Sequence, residues 1–233
     1  MVAAKARGAV RSPNIWQRPD VYEVENRAVD PDGSLTAALR GIRDWAGADV
    51  LDVGCGTGFH LPSFAATAAR VVGVEPHPGL AAVARRRCTG LRNVGVRVGA
   101  AQDLPLPSHR VDVAHARWAY FFGPGCEPGL RELARVMRRG GVSYVVDNDA
   151  TRSTFGRWFR SAYPAYDAAA VERFWSGRGW NRRRVDMGWR FASREDLEAV
   201  LRIELPPAQA ERALAEHRGL EVDYAVNVWW REW

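Results

Sequence analysis

The sequence has few cysteines, almost no lysine and no long apolar run. Its three cysteines, Cys55, Cys88 and Cys126, form no C-x-x-C pair, so the sequence indicates neither a disulfide framework nor a zinc site. The histidines lack the spacing of metal ligands, and no metal is predicted. No stretch approaches the roughly 20 apolar residues that cross a bilayer, and the first residues lack the apolar segment of a secretory signal. We therefore expect a cytoplasmic protein with free thiols and no membrane partner.

Lys5 is the only lysine among the 33 basic residues, and the formal net charge is +6 with a pI near 9.7. A basic surplus can indicate a nucleic-acid partner. Arginine in place of lysine, together with abundant alanine and glycine, is more typical of a compositional bias than of a binding surface. The basic charge by itself therefore does not predict a nucleic-acid partner. The sequence leaves monomer and homodimer open.

The length of 233 residues favours one elaborated domain, because a domain holds roughly 150 residues. A composition of 47% apolar and 26% charged residues is ordinary for a globular protein and excludes disorder as the main state. Changes in composition divide the chain into five predicted parts. They are a flexible tail (1–14), lid helices (15–46), a sheet core (48–148), a cap insertion (149–190), and closing helices with a strand (191–233).

Short apolar runs alternate with helical segments in the core. The strand candidates are residues 50–53, 71–74, 94–98, 111–116 and 142–146, and the helix candidates between them are 61–69, 79–88 and 128–139. This alternation predicts βαβ units and an α/β fold with a doubly wound, mostly parallel sheet that is covered on both faces. Residues 219–230 alternate in polarity and predict an antiparallel strand at or near the edge of the sheet.

Residues 149–190 are dense in aromatic and arginine side chains and show no clean strand pattern. Together with the N-terminal helices, they are expected to form a lid over the carboxyl ends of the strands. Aromatic walls suit a small organic ligand. The side chains predicted to contact a substrate are Tyr22, Trp118, Tyr120, Trp158 and Tyr163.

A glycine-rich loop follows the first strand candidate, at Val-Gly-Cys-Gly-Thr-Gly in residues 53–58. Glycine lets the backbone turn tightly and approach a ligand closely. A dinucleotide fingerprint requires a third glycine at position 59, where the chain has Phe59. No Gly-Lys-Ser/Thr follows, which excludes a Walker A loop. The loop therefore predicts a ligand other than a dinucleotide or a nucleoside triphosphate.

Five blocks of sequence occur in a fixed order around this loop. They are Leu-Asp-Val-Gly-Cys-Gly-Thr-Gly at 51–58, Val-Val-Gly-Val-Glu-Pro at 71–76, Gly-Ala-Ala-Gln-Asp-Leu-Pro at 99–105, Val-Asp-Val-Ala-His-Ala-Arg at 111–117, and Glu-Leu-Ala-Arg-Val-Met-Arg-Arg-Gly-Gly at 132–141. With them, residues 48–148 resemble the class I S-adenosylmethionine-dependent methyltransferases of the type 11 or UbiE-like branch. The resemblance implies a seven-stranded Rossmann-like sheet and S-adenosylmethionine as cofactor, with S-adenosylhomocysteine as product.

Glu75 ends the second strand about twenty residues after the first, where a carboxylate can accept hydrogen bonds from both hydroxyls of a ribose. The resemblance implies that Asp103 accepts from the adenine amino group, with Ala101 and Gln102 beside the ring. Asp52 lies within the strand before the loop, and because a buried acid is costly unless it is hydrogen-bonded, we expect it to accept from loop amides or to contact the methionine end indirectly. The predicted cofactor site is Asp52, Gly54, Cys55, Gly56, Gly58, Glu75, Pro76, Ala101, Gln102, Asp103 and Arg117.

The resemblance predicts methyl transfer to O, N or C of a small metabolite rather than to nucleic acid. RNA or protein as the acceptor remains an alternative, and so does a non-catalytic cofactor-binding protein. In-line displacement at a sulfonium depends mainly on positioning and on excluding water. A general base is needed only where the acceptor must lose a proton. The two candidates for this role are His115, within the fourth strand, and Asp149, just after the fifth.

Overall fold

The computed structural model describes residues 9, 11–120 and 123–233, so most of the predicted tail lies outside the described residues. The helices in this part are α1 (Pro13–Gln17), α2 (Pro19–Ala28), α3 (Ser34–Ile42), α4 (Leu61–Ala65), α5 (Pro78–Arg87), α6 (Glu127–Val136), α7 (Thr154–Ala162), α8 (Ala168–Ser176), α9 (Arg194–Glu204) and α10 (Pro207–Glu216). The strands are β1 (Asp49–Val53), β2 (Arg70–Glu75), β3 (Val94–Val98), β4 (Val111–Arg117), β5 (Met137–Asn148), β6 (Asn181–Arg190) and β7 (Glu221–Glu232).

The seven strands form one sheet in the order β3-β2-β1-β4-β5-β7-β6. The pairs from β3 to β5 are parallel, and β7 runs antiparallel to both β5 and β6. The predicted doubly wound α/β fold is therefore confirmed. The strand order reverses direction between β1 and β4, and in such sheets ligands bind in the crevice at the carboxyl ends of the strands beside that point.

The fifth strand begins at Met137, where the sequence pattern predicts the end of a helix. The pairing of β4 with β5 shifts register between Val111 and Val113, which indicates a bulge. Gly140 adopts φ +76°, and a Cβ on Gly141 would lie 3.0 Å from the carbonyl oxygens of Arg138 and Asp112. The two glycines therefore lie within β5 and permit its irregular backbone, and they do not mark the end of the helix.

The segment 149–190 contains a strand that the sequence pattern does not predict. All ten residues of β6 pair with β7, and Val185 and Trp189 are its buried apolar side chains. Arginines occupy four of the other eight positions, because the strand lies at the edge of the sheet and one of its faces meets solvent.

Aromatic side chains of the same segment pack against the two faces of the sheet. On one face Phe155 packs on Trp189 and Tyr224, with ring centroids 4.6 and 4.7 Å apart. On the other face Trp175 stacks on Trp229 at 6.0 Å. The segment thus completes the core at this end of the sheet. In the described part of the chain no helix is long and apolar enough to cross a bilayer.

Candidate functional site

A cavity of about 550 Å³ opens at the carboxyl ends of β1, β2 and β4. Its floor is the glycine loop and the strand ends, and α1 and α2 cover it with Ile15, Trp16, Tyr22 and Asn26. The loops after β3 and β4 complete the wall. The volume lies in the range of roughly 300–1,000 Å³ that is typical of sites for small molecules.

Because the loop contains glycines, its backbone faces this cavity without side chains in between. Gly54 and Gly56 adopt φ of +73° and +56°, a region that side chains with a Cβ rarely occupy. A Cβ on Gly54 would lie 2.9 Å from the Cβ of Ala119, and one on Gly56 would lie 2.6 Å from Ile15 Cδ1. Close packing of the loop against its cover therefore requires glycine at both positions.

Glu75 lies at the end of β2 with its carboxylate beside the glycine loop. One oxygen accepts a hydrogen bond from the Gly56 amide at 3.0 Å, and the other accepts from the His77 amide at 2.8 Å. Burial raises the pKa of this carboxyl to about 7. The two amides lower the pKa, because they stabilise the charged form, but their effect is smaller than that of burial. A carboxylate offers about four lone-pair positions, so two acceptor positions remain for a ligand.

Asp52 and His115 form a buried pair between neighbouring strands. The register places Asp52 opposite His115, and His115 Nδ1 lies 2.8 Å from Asp52 Oδ1. Both residues line the cavity, and His115 Nε2 has no hydrogen-bond partner among the described residues. His60 packs edge-on against His115 at 6.1 Å, and burial keeps the pKa of His60 well below its usual value.

The residues after β4 form the opposite wall of the cavity. Trp118 adopts φ +49°, and its Nε1 donates to Asn148 Oδ1 at 2.7 Å while its ring stacks on Tyr224 at 6.2 Å. A bulky residue at positive φ is uncommon, and such strain is concentrated at functional sites. Arg117 lies next to it, with the guanidinium 5.6 Å from the centre of the Trp118 ring.

An ion pair joins the cover to the floor of the cavity. Glu23 of α2 accepts a hydrogen bond from Thr57 of the glycine loop and another from Arg87 Nη2 at 2.7 Å. No pattern in the sequence predicts this contact of Glu23, and none identifies Asn26 and His60 as residues that line the cavity. Tyr22 and Asn26 are four positions apart and therefore lie on one helix face, which is the only local signal that could have identified Asn26.

Most of the predicted site residues line this one cavity. They are Asp52, Gly54, Cys55, Gly56, Glu75, Pro76, Ala101, Gln102 and Arg117 for the cofactor, His115 as a base, and Tyr22, Trp118 and Tyr120 for the substrate. Burial raises the pKa of the Cys55 thiol well above its usual value, so this cysteine is a poor nucleophile.

Five predicted residues lie outside the described lining of the cavity. Gly58 packs on Ala84, and Asp103 is exposed. The carboxylate of Asp149 accepts from Thr151 and pairs with Arg184 Nε at 3.2 Å, which leaves it no role toward the cavity.

Two of these five were predicted to contact a substrate. Trp158 packs on His217, and the Tyr163 hydroxyl donates to the Glu204 carbonyl. None of the described lining residues comes from 149–190, the segment predicted as a cap. Most of its aromatic side chains are in the core instead, because they cover the faces of the sheet beside β5, β7 and β6.

Residues 50–141 match the model of a family described as a methyltransferase domain. Demethylmenaquinone methyltransferase of Tropheryma whipplei (strain Twist) is 31% identical over 124 residues, which cover 53% of this chain and 52% of that protein. Ubiquinone biosynthesis O-methyltransferase of Azorhizobium caulinodans is 30% identical over 165 residues, or 70% of this chain and 60% of that protein. The chain thus spans about half the length of the first curated relatives it matches.

The crystal structure of the YcgJ protein from Bacillus subtilis superposes on this fold with a TM-score of 0.61. The two sequences are 18% identical, and the match covers 85% of this chain and 97% of that one. At this identity the likeness shows the fold alone.

Proposed function

The chain belongs, through residues 50–141, to the class I S-adenosylmethionine-dependent methyltransferases, and from this premise we propose that it methylates O, N or C of a small organic molecule. One observation carries the proposal. The Glu75 carboxylate at the end of β2 is joined to the Gly56 amide of the glycine loop at 3.0 Å, inside a cavity of suitable size. A carboxylate and a bare loop backbone are thereby presented to the same ligand.

The residues of the cavity fit S-adenosylmethionine. Glu75 has two free acceptor positions for the two ribose hydroxyls, because each oxygen accepts only one amide hydrogen. Ala101 and Gln102 line the wall after β3 and would flank the adenine. The glycine loop and Asp52 would hold the methionine end. Asp103 remains a predicted partner of the adenine amino group, although its side chain is exposed in this structure.

When bound, S-adenosylmethionine supplies an electrophilic methyl group on a sulfonium. The chain contributes position and the exclusion of water, because in-line displacement requires the acceptor atom, methyl carbon and sulfur to be nearly collinear. The helices α1 and α2 close the cavity from above. The rings of Tyr22, Trp118 and Tyr120 give it walls that suit an organic acceptor.

Where the acceptor must lose a proton, we propose His115 as the base. In this role Nδ1–H of His115 donates a hydrogen bond to Asp52 Oδ1, which fixes the ring and leaves the lone pair on Nε2. That nitrogen has no hydrogen-bond partner in the described part of the chain. Nε2 is thereby left as an acceptor for a proton of the substrate.

Two relatives support an organic acceptor of moderate size. One is named for demethylmenaquinone and another for ubiquinone biosynthesis, and both names refer to quinones. The aromatic walls of the cavity in this chain are compatible with a ring-containing acceptor.

Calorimetric titration with S-adenosylhomocysteine tests the proposal. Glu75→Gln keeps the shape but removes the charge, and we expect it to weaken binding by about tenfold or more, since hydrogen bonds to a charged group contribute about 1.5–3 kcal/mol. Glu232→Gln is the matched control, because Glu232 is exposed, ends β7 opposite Val142 of β5, and is not among the residues that line the cavity. Lack of binding by the unaltered protein, or equal affinity in Glu75→Gln, would refute the proposal.

A further inference from the structure

Arg117 lines the cavity without a carboxylate partner. Its Nε is enclosed and makes no hydrogen bond to any described residue, and no described Asp or Glu lies within ion-pair distance of the guanidinium. The residues outside the description, 1–8, 10, 121 and 122, include no acidic side chain. Its described ring contact is the face of Trp118, 5.6 Å from the guanidinium carbon.

The two carboxylates that act on Arg117 most strongly are engaged elsewhere. Asp30 accepts hydrogen bonds from the amides of Leu35 and Thr36 at 2.9 and 3.1 Å, and so caps the start of α3. Asp52 is bonded to His115. Neither is available to pair with the guanidinium, although both help to keep it charged. The protein thus leaves a buried positive charge to be neutralised by something else.

A buried arginine without a carboxylate partner lowers the stability of the folded protein. Burial lowers the pKa of the Arg117 guanidinium, but arginine remains charged in proteins under all ordinary conditions. Buried charges are normally paired, and the planar fork of arginine matches a carboxylate with two parallel hydrogen bonds. A ligand that carries a carboxylate would supply this missing partner.

The place of Arg117 in the sheet separates it from the ribose position. Glu75 ends β2 and Arg117 ends β4, with β1 between them, so the two strands are about 10 Å apart. Arg117 also lies beside Tyr22 and Trp118, two of the aromatic walls. A carboxylate bound here would therefore belong to the half of the cavity on the far side of β1 from the ribose carboxylate.

We propose that Arg117 binds a carboxylate of the methyl acceptor, so that the substrate is an acidic organic molecule of a size that fits beside Tyr22, Trp118 and Tyr120. This inference rests on the proposed function, because it says which kind of acceptor binds in the half of the same cavity that lies beside Arg117. The same chemistry could come from the carboxylate of the cofactor's methionine end. The experiment therefore has one arm for each source.

The first arm measures the cofactor. S-adenosylhomocysteine and 5′-methylthioadenosine, which lacks the amino acid end, are titrated into the unaltered protein, Arg117→Gln and the control Arg212→Gln, an exposed arginine of α10. We expect Arg117→Gln to bind both ligands within about threefold of the unaltered protein. Loss of S-adenosylhomocysteine affinity alone, by about tenfold or more, would assign Arg117 to the cofactor carboxylate and overturn the proposal.

The second arm measures the acceptor side with the protein saturated with S-adenosylhomocysteine. Benzoate, phenylacetate and 3-phenylpropionate are titrated against their neutral amides. We expect at least one acid to bind about ten- to a hundredfold more tightly than its amide, because hydrogen bonds to a charged group contribute about 1.5–3 kcal/mol. Arg117→Gln should abolish this preference, and Arg212→Gln should retain it.

Arg117→Lys keeps the charge but loses the paired donors, and it serves as a second variant if Arg117→Gln does not fold. We expect it to retain a reduced preference for the acids. Absence of any preference in the unaltered protein, or a preference that persists without the guanidinium, would overturn the proposal. Failure of the unaltered protein to bind S-adenosylhomocysteine would instead refute the proposed function, so the two failures can be told apart.

Discussion

His115 Nδ1 and Asp52 Oδ1 lie 2.8 Å apart between two buried parallel strands, and both side chains are almost wholly removed from solvent. Breaking a buried pair by removing one partner leaves an uncompensated polar group. We expect His115→Phe to destabilise the protein by about 3 kcal/mol. The double variant with Asp52→Val should recover most of this loss, because an apolar pair at these positions leaves no carboxylate unpaired.

Urea denaturation of the two single variants and the double variant measures this coupling. Additive changes in the free energy of unfolding would show that the two side chains do not stabilise each other. His115→Phe alone should lose methyl transfer only where the acceptor must release a proton, since positioning does not depend on His115.

The raised pKa of Glu75 predicts pH-dependent cofactor binding. The carboxylate is the form that accepts hydrogen bonds from the ribose hydroxyls, and burial raises the pKa of this group to about 7 in the free protein. Affinity for S-adenosylhomocysteine should therefore be full above pH 8 and fall by about tenfold at pH 6, where about one molecule in ten is ionised. Calorimetry over this range should give a flat profile for Glu75→Gln. An equally steep profile in that variant would show that another group titrates.

Much of the cofactor half of the site could be predicted from the sequence, because its signals are local. A short apolar run that ends in Gly54 and Gly56 predicts a strand and a loop without reference to the rest of the chain. A carboxylate at the end of the next strand, Glu75, then meets that loop because parallel strands have their carboxyl ends at one edge. The structure adds the two amides that hold Glu75 in place.

The remainder depends on contacts between distant parts of the chain. β6 escapes detection because only Val185 and Trp189 are buried on it, and its partner β7 begins about thirty residues later. The composition of 149–190 predicts a cap over the substrate, but it cannot distinguish a cap from a core, because aromatic side chains are common in both. That Arg117 lacks a partner is likewise visible only once Asp30 and Asp52 are placed.

Two buried carboxyl groups where α2 meets α9 predict a loss of stability as the pH rises from about 5 to about 8. Glu25 and Glu204 share a hydrogen bond, and burial raises the pKa of Glu25 well above its usual value and that of Glu204 to about 7. An acid whose pKa is higher in the folded state stabilises the protein below its unfolded pKa of about 4.5. That contribution is lost as the pH rises through about 7.

Glu204→Gln should therefore raise the free energy of unfolding at pH 8 by about 1–2 kcal/mol and change it little at pH 5. Thermal unfolding at the two pH values measures the difference. Glu195→Gln, on the exposed side of α9, is the matched control and should change the free energy of unfolding by the same small amount at both pH values. A gain of the same size at pH 5 would exclude titration of the pair as its cause.

The contact of Glu23 with Thr57 and Arg87 predicts that the cover of the cavity controls cofactor release. Glu23 of α2 accepts a hydrogen bond from Thr57 at the base of the cavity and forms an ion pair with Arg87 of α5, at 2.7 Å from Nη2. Glu23→Ala should free α2 and raise the dissociation rate of S-adenosylhomocysteine by about tenfold, because a partly buried charged hydrogen bond contributes about 1.5 kcal/mol. Asp20→Ala breaks an exposed ion pair at the start of the same helix and should leave the rate unchanged, because surface ion pairs contribute little. Stopped-flow displacement gives both rates, and hydrogen exchange of residues 19–28 should quicken in Glu23→Ala alone. Equal rates in the two variants would show that α2 is held over the cavity by its apolar packing instead.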